Sequence, residues 1–265
     1  MNKILRHRLV GVILFSATFA LGVGMFFSVM TGIISTDYFV KPFFWFSCFV
    51  FAWLFRDSKP IAKANNPLLH FIVLGLALAI FEGSDFLFTI YNIEWWKRVL
   101  KHLPLMMGGI ISLLLFNGGF RSIGLKKPDT KNIYLYVQGA IFLFLFLLEL
   151  KVDFSLNVQL ALLSYFLMAF AQEVFFRAGL QNVLQSLLGW RTGLLLANAA
   201  FVLYHLRFDL DPMGIKLFGY LINIFLMGLV FAYYYGKTRN LLAVTWIHFC
   251  YNAFSFALRM TEPSF

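Results

Sequence analysis

The chain has 265 residues, of which 61% are hydrophobic and 13% charged, and its formal net charge is +10. A mean hydropathy of +0.79 excludes an ordinary soluble domain of this length. The basic residues lie in short connections between apolar runs, which indicates membrane topology and argues against a nucleic-acid partner. The two cysteines, Cys48 and Cys250, are too few for a disulfide framework or a four-cysteine zinc site.

Apolar runs long enough to span a bilayer recur along the whole chain. They fall at roughly 9–33, 38–55, 67–91, 103–120, 132–150, 157–187, 191–206, 214–235 and 241–258. Runs of this length with few charges are typical of transmembrane helices. The pattern predicts an all-α polytopic membrane bundle with about eight or nine transmembrane helices.

The charged flanks predict the orientation of these helices. The basic start, 1–8, precedes a long apolar run without an A-x-A cleavage site, which predicts a retained signal anchor. Basic residues also follow alternate runs, at 56–63, 121–131 and 237–239, which predicts a cytoplasmic N-terminus. The cluster Lys97, Arg98 and Lys101 falls on the opposite side, and with the neighbouring tryptophans it predicts an interfacial helix.

The most polar break in the chain, 121–132, predicts a boundary between two parts. The first part, 1–125, would consist of N-terminal transmembrane helices, and the second, 126–265, would be a C-terminal core. In the first part, Glu82 and Asp85 are acids without an evident partner. They could flank a water-filled cavity, but we favour the interpretation that they mark the interfacial end of their helix.

Three polar clusters interrupt the apolar runs of the C-terminal core. The first is Gln172, Glu173 and Arg177, in which the carboxylate and the guanidinium share a helix face at four-residue spacing. An ionisable residue inside a membrane is a candidate functional residue once its partner is named. The alternative for this stretch is a purely structural ion pair between helices.

The second and third clusters have the same four-residue spacing. Phe201 and His205 share one helix face, and His248 and Asn252 share another. Cys250 lies between the last two but points off their face, which favours packing over a nucleophilic role.

The clusters can be placed at one height in the bundle. Gly189 is the predicted turn between two antiparallel helices, and Glu173 and His205 each lie about 24 Å from it at the rise of an α-helix. His248 lies about 13 Å from its own turn. The stretch 178–188 is amphipathic enough to project beyond the bilayer, which would bring His248 level with the other two.

Together the clusters predict a polar cavity inside the membrane. In such a dry site a tuned carboxylate can take a proton from water, an imidazole can hold that water, and a carboxamide can donate to a developing oxyanion. The sequence therefore predicts a hydrolytic site.

The three clusters together resemble the motifs of a known family. In this order and spacing, the motifs Glu173-x-x-x-Arg177, Phe201-x-x-x-His205 and His248-x-x-x-Asn252 resemble the CPBP family, the CAAX-protease and bacteriocin-processing intramembrane glutamic endopeptidases, also called the Abi family. The resemblance covers roughly residues 130–258. It implies an eight-or-so-helix bundle in which a glutamate activates water, two histidines and an asparagine position water and bind the oxyanion, and an arginine orients the glutamate.

Carried over residue by residue, the resemblance implies a catalytic set of Glu173, Arg177, His205, His248 and Asn252. Gln172 and Phe201 would be supporting residues. It implies no cofactor and no metal, a membrane-associated protein or peptide as substrate, and a multi-pass protein, which we expect in a bacterial inner membrane. The exact substrate is left open by the family pattern.

Two positions depart from the family pattern. The motif usually begins with two acids, and the first is commonly assigned as the general base, but this chain has Gln172 there. Either Glu173 acts as the base, or the chain is a catalytically silent binding or immunity-type membrane protein. Ala178 replaces a usual glycine, which is a minor change because Gly179 follows.

Other functions remain as alternatives. Glu and two His could hold a catalytic zinc ion, but no H-E-x-x-H motif is present and the groups come from three separate helices. A transporter would be expected to show inverted repeats and broken helices, and no repeat is visible.

Overall fold

A computed structural model describes residues 64–91, 97–116, 136, 137, 139, 140, 143, 155–205 and 215–261 of the chain. All of these lie in one compact unit, Ser58–Phe265. Within them the regular structure is helical, and the single isolated antiparallel bridge joins Ala64 and Phe116. The predicted all-α class is therefore confirmed. The predicted boundary near residue 125 and the retained signal anchor lie outside the described residues.

The helices follow the predicted apolar runs in order. They are α1, Pro67–Ile90; a 3₁₀-helix, Lys97–His102; α2, Leu103–Leu114; α3, Leu156–Glu173; a π-helix, Val174–Gln181; α4, Asn182–Leu188; α5, Trp190–His205; α6, Ile215–Thr238; and α7, Leu241–Thr261. The π-helix continues α3 directly into α4, so that residues 156–188 form one long helical segment.

Two of these segments can cross a bilayer by length and composition. They are Pro67–Ser84 and the continuous segment Leu156–Leu188. On α1, large apolar side chains are exposed at every fourth residue, at positions 68, 72, 76 and 80. A continuous apolar stripe of this kind fits contact with lipid. Glu82 is exposed near the end of this apolar span and α1 continues beyond it to Ile90, so the interpretation of Glu82 and Asp85 as an interfacial helix end stays a prediction.

The region predicted as an interfacial helix is a short 3₁₀-helix that leads into α2. The side chain of Lys101 is buried, and its Nζ lies 5.7 Å from the centroid of the Phe81 ring on α1. This lysine thus packs against α1, and the interfacial position of the segment stays a prediction.

The turn between α4 and α5 is where the sequence predicts it. Gly189 has φ +83°, in the left-handed region that favours glycine, and α5 begins at the next residue. This turn makes α4 and α5 antiparallel neighbours.

The polar residues that make 178–188 amphipathic face the interior. Arg239 donates to Asn182 Oδ1 and, at 3.0 Å, to Gln185 Oε1. Asn182 Nδ2 in turn donates to Tyr235 Oη at 2.9 Å, and Gln181 is fully buried beside them. Burial lowers the pKa of the Arg239 guanidinium, because the interior disfavours its charge. Amphipathic spacing here therefore indicates a buried network between α4 and the α6–α7 connection.

Because Arg239 is the donor to two buried side chains, its substitution should have a large effect on stability. Its φ of +52° costs a non-glycine residue about 1 kcal/mol. Arg239→Ala leaves two buried acceptors unpaired and should lower the free energy of unfolding by about 2–3 kcal/mol. Thermal unfolding in detergent, followed by circular dichroism, measures this loss. Lys237→Ala is the matched control, because Lys237 only packs over the Trp190 and Tyr233 rings. Equal melting temperatures for both variants would contradict the structural role.

Candidate functional site

Glu173 is the centre of the polar site. It is the last residue of α3, and its side chain is completely buried. Its Oε2 accepts a hydrogen bond from Arg177 Nε at 3.2 Å, and its Oε1 lies 2.7 Å from His248 Nδ1, which donates to it. Both partners are also buried. One carboxylate thus joins the first and the third sequence motifs.

The backbone changes its winding immediately after this glutamate. The π-helix begins at Val174, and Arg177 lies within it. π-helical turns are rare in proteins, and those that occur are often found at functional sites. The four-residue spacing was predicted for a regular α-helix, and it still brings Glu173 and Arg177 into contact because both side chains meet at the junction.

Helix α2 packs directly on this junction through Gly109. A Cβ atom built on Gly109 would lie 2.7 Å from Val174 Cγ1 and 2.8 Å from both the carbonyl carbon and the oxygen of Val174. Only a glycine permits this approach without displacing the backbone. The residue that follows Glu173 is therefore held by a helix that the motifs did not include.

The ring of Phe201 connects the second motif to the other two. Arg177 Cζ lies 4.7 Å from its centroid, the His205 ring 4.4 Å and the His248 ring 6.0 Å. Phe201 is completely buried. The aromatic residue of the motif thus packs against the guanidinium and both imidazoles.

His205 is oriented by its own helix. Its Nδ1 lies 2.8 Å from the carbonyl oxygen of Phe201, which can only accept a hydrogen bond, so Nδ1 carries the proton. In the neutral ring, Nε2 is then the acceptor nitrogen. His205 is half-buried, in contrast to His248, which is buried.

Gln172 and Asn252 complete the predicted set. Gln172 is buried, and its Nε2 donates to Tyr204 Oη at 3.4 Å, so it belongs to a neighbouring polar group and not to the Glu173 ion pair. Asn252 is half-buried and lies one helical turn beyond His248 on α7. Among the described residues the contacts unite Glu173, Arg177 and His248, and they bring in His205 through Phe201.

Several polar atoms at the site have no hydrogen-bond partner among the described residues. They are both terminal nitrogens of Arg177 and Oε1 of Gln172, and all three are buried. Buried polar atoms are almost always paired, so each of these is a candidate contact for a ligand. The site therefore offers cationic donors beside the carboxylate, and the neighbouring polar group offers one neutral acceptor.

The geometry of the site bears on the alternative of a catalytic zinc ion. In the part of the chain that the structure describes, no three His, Cys, Asp or Glu side chains converge as a metal-binding group. Glu173 is instead occupied by Arg177 and His248.

The motifs missed His102. It follows the basic cluster at 97–101, and nothing in its spacing connects it with the C-terminal motifs. In the structure it is buried, its Nδ1 lies 3.5 Å from Tyr204 Oη, and its ring lies 5.1 Å from the Phe81 ring. A histidine at the edge of an apolar run was the only available signal.

The fold and the site define a helical membrane protein with a buried carboxylate held by arginine and histidine. Residues 154–254 match the family model described as type II CAAX prenyl endopeptidase Rce1-like. The resemblance to the CPBP proteases is thereby confirmed over these residues, which contain all three motifs. No curated protein and no solved structure showed significant similarity. The matched family is one of membrane proteases, the match covers less than half of the chain, and the activity and mechanism of this chain are left to be proposed.

Proposed function

We propose that this protein is an intramembrane endopeptidase in which Glu173 activates water to hydrolyse a peptide bond of a membrane-associated protein or peptide. The observation that carries this proposal is the buried carboxylate between Arg177 Nε and His248 Nδ1. A carboxylate held in a fixed orientation and away from bulk water is suited to general-base catalysis.

The reaction follows from the groups around this carboxylate. Glu173 removes a proton from water, and the hydroxide adds to the carbonyl carbon of the substrate. The oxyanion that forms can be stabilised by donors from Asn252 or the unpaired terminal nitrogens of Arg177, while His248 Nδ1 holds Glu173. The C–N bond then breaks, and the proton held by Glu173 passes to the leaving amine, which restores the carboxylate.

The glutamine at position 172 limits which side chain can act as the general base. A carboxamide cannot take a proton from water near neutral pH, so the role falls to its neighbour Glu173. Each oxygen of a carboxylate has two lone pairs, and Glu173 uses one on each oxygen for its protein partners. Acceptor capacity for a water molecule therefore remains, in support of this assignment.

The proposal extends to the whole chain. We infer a multi-pass bundle of about eight or nine spans around an intramembrane polar cavity. Residues 1–125 would supply N-terminal helices, and 126–265 would form the catalytic core, in a bacterial inner membrane. Since the matched family is named for CAAX prenyl endopeptidases, we propose a prenylated C-terminal peptide as the first substrate class to test.

The test compares new peptide termini in membranes from cells that carry wild type, Glu173→Ala or Gln172→Glu, with a co-expressed prenylated CAAX substrate. We expect termini in wild type that are absent in Glu173→Ala. These termini should persist in membranes treated with chelator, because no metal enters the proposed mechanism. Loss on chelation and recovery with zinc would instead establish the metalloprotease alternative.

The family motif usually has an acid where this chain has Gln172. This difference favours one competing function, a catalytically silent membrane binding or immunity protein. The Gln172→Glu variant separates the two functions. If termini appear only in Gln172→Glu and never in wild type, the natural chain is a silenced scaffold and the proposed activity is wrong.

A further inference from the structure

A second polar group lies beside the Glu173 centre and joins three helical segments. Gln172 Nε2 on α3 donates to Tyr204 Oη on α5 at 3.4 Å, and Tyr204 Oη lies 3.5 Å from His102 Nδ1 at the start of α2. Gln172 and His102 are buried, and Tyr204 is half-buried. Catalytic hydrogen bonds are often long in a ligand-free site and shorten when substrate binds.

Aromatic packing holds this group in place. The Phe81 ring lies 5.1 Å from the His102 ring and 5.3 Å from the Tyr204 ring, and the Phe176 ring lies 5.2 Å from the Tyr204 ring. The Tyr204 ring is therefore packed against residues of α1 and of the π-helix.

One arrangement satisfies both bonds: Tyr204 Oη accepts from Gln172 Nε2 and donates to His102 Nδ1, in the tautomer whose Nδ1 is the acceptor nitrogen. This arrangement turns Gln172 Oε1 away from Tyr204. That oxygen is buried and has no hydrogen-bond partner among the described residues.

We propose that Tyr204 and His102 orient the Gln172 carboxamide so that its Oε1 accepts a hydrogen bond from a peptide N–H of the substrate. The inference rests on the proposed protease function. A substrate main chain leaves water when it enters the site, and an unpaired N–H in an apolar medium is costly. A neutral acceptor beside the base would meet this need without competing for the proton of the attacking water.

In this proposal the adjacent residues Gln172 and Glu173 have different roles. Glu173, with its charge, acts on water, and Gln172, which cannot hold a proton, binds the substrate main chain. His102 and Tyr204 are positioning residues. On this view glutamine at 172 is an adaptation for substrate binding and not a mark of lost activity.

The first experiment measures the hydrogen-bond chain without any substrate. In protein labelled with ¹⁵N-glutamine in lipid nanodiscs, the side-chain amide signal that disappears in Gln172→Ala is that of Gln172. We expect this signal to shift in Tyr204→Phe and in His102→Phe. It should return close to its wild-type position in His102→Asn, because the asparagine oxygen can replace Nδ1 as the acceptor. An unchanged signal in Tyr204→Phe overturns the proposed chain, whatever the protein's activity.

The second experiment measures cleavage of an internally quenched farnesylated CAAX peptide. Gln172→Ala, Tyr204→Phe and His102→Phe should each raise KM by about tenfold, as expected for the loss of one hydrogen bond, with kcat nearly unchanged. In the Gln172→Ala background the other two substitutions should have no further effect. Independent, additive losses would indicate a merely structural role for Tyr204 and His102 and would overturn the inference.

An ester scan of the same peptide identifies the N–H group. Replacing each peptide N–H in turn by oxygen should raise KM of wild type by about tenfold at one position. The same ester should leave Gln172→Ala unaffected, and equal sensitivity of both proteins at every position would exclude an N–H contact to Gln172. If wild type shows no Glu173-dependent cleavage at all, the proposed function fails, and the amide signal alone then decides whether the chain of hydrogen bonds exists.

Discussion

Replacing Glu173 by glutamine should lower kcat for peptide-bond hydrolysis by about a thousandfold, the scale expected for loss of a general base. Glutamine keeps the size and shape of the side chain but cannot take a proton from water. The measurement is the initial rate of cleavage of the quenched peptide by purified protein in nanodiscs. Gln172→Glu is a useful companion, since it changes the neighbouring residue and leaves Glu173 in place.

The same substitution should also affect stability, because Arg177 would lose its carboxylate partner while it stays fully buried. Breaking a buried ion pair on one side typically costs about 3–5 kcal/mol. A lower rate could then reflect unfolding. The double substitution Glu173→Gln with Arg177→Met removes both charges and should recover much of the stability.

Stability and activity should separate in this double variant. We expect a melting temperature closer to wild type and a cleavage rate as low as that of Glu173→Gln. If the double variant recovers both, Glu173 serves as a structural ion-pair partner and the base must be sought elsewhere. If Glu173→Gln retains the wild-type rate, the glutamate mechanism is wrong.

Local sequence patterns were sufficient for the centre of this site. Helical spacing predicted that Glu173 and Arg177 share a face, and the structure places them in contact at 3.2 Å. Helix rise, together with a projection of 178–188 beyond the bilayer, predicted that His248 lies level with Glu173, and its Nδ1 lies 2.7 Å from Glu173 Oε1. Such predictions succeed because i,i+4 geometry and the sequence of antiparallel helices are local or nearly local properties.

Features that depend on long-range packing could not be predicted in this way. The π-helix after Glu173 does not appear in a periodicity that assumes regular α-helix. Gln181, Asn182 and Gln185 have the spacing of a water-facing stripe, but their partners are on α6 and in the connection that follows it. His102 lies about seventy residues away from Gln172 along the chain, and no motif joins them. In each case the tertiary partner and not the local pattern decides where the side chain points.

Gly109 lies outside the matched region 154–254, yet it packs directly against Val174, the residue after Glu173. Gly109→Ala should reduce cleavage by about a hundredfold, as expected when a catalytic group moves by about 1 Å. The free energy of unfolding should fall by only about 1–3 kcal/mol, the usual effect of overpacking. The measurements are the peptide cleavage rate and the melting temperature in the same nanodiscs.

Two further variants decide whether the close approach is the cause. Gly75→Ala is the matched control, because a Cβ at Gly75 on the neighbouring helix α1 would meet nothing within 4 Å. It should leave the cleavage rate and stability near wild type. Adding Val174→Ala to Gly109→Ala should not restore activity, since two of the three close atoms belong to the Val174 backbone and remain. Recovery in that double variant would show that only the valine side chain is in the way. Equal rates for Gly109→Ala and Gly75→Ala would show that α2 does not position Glu173.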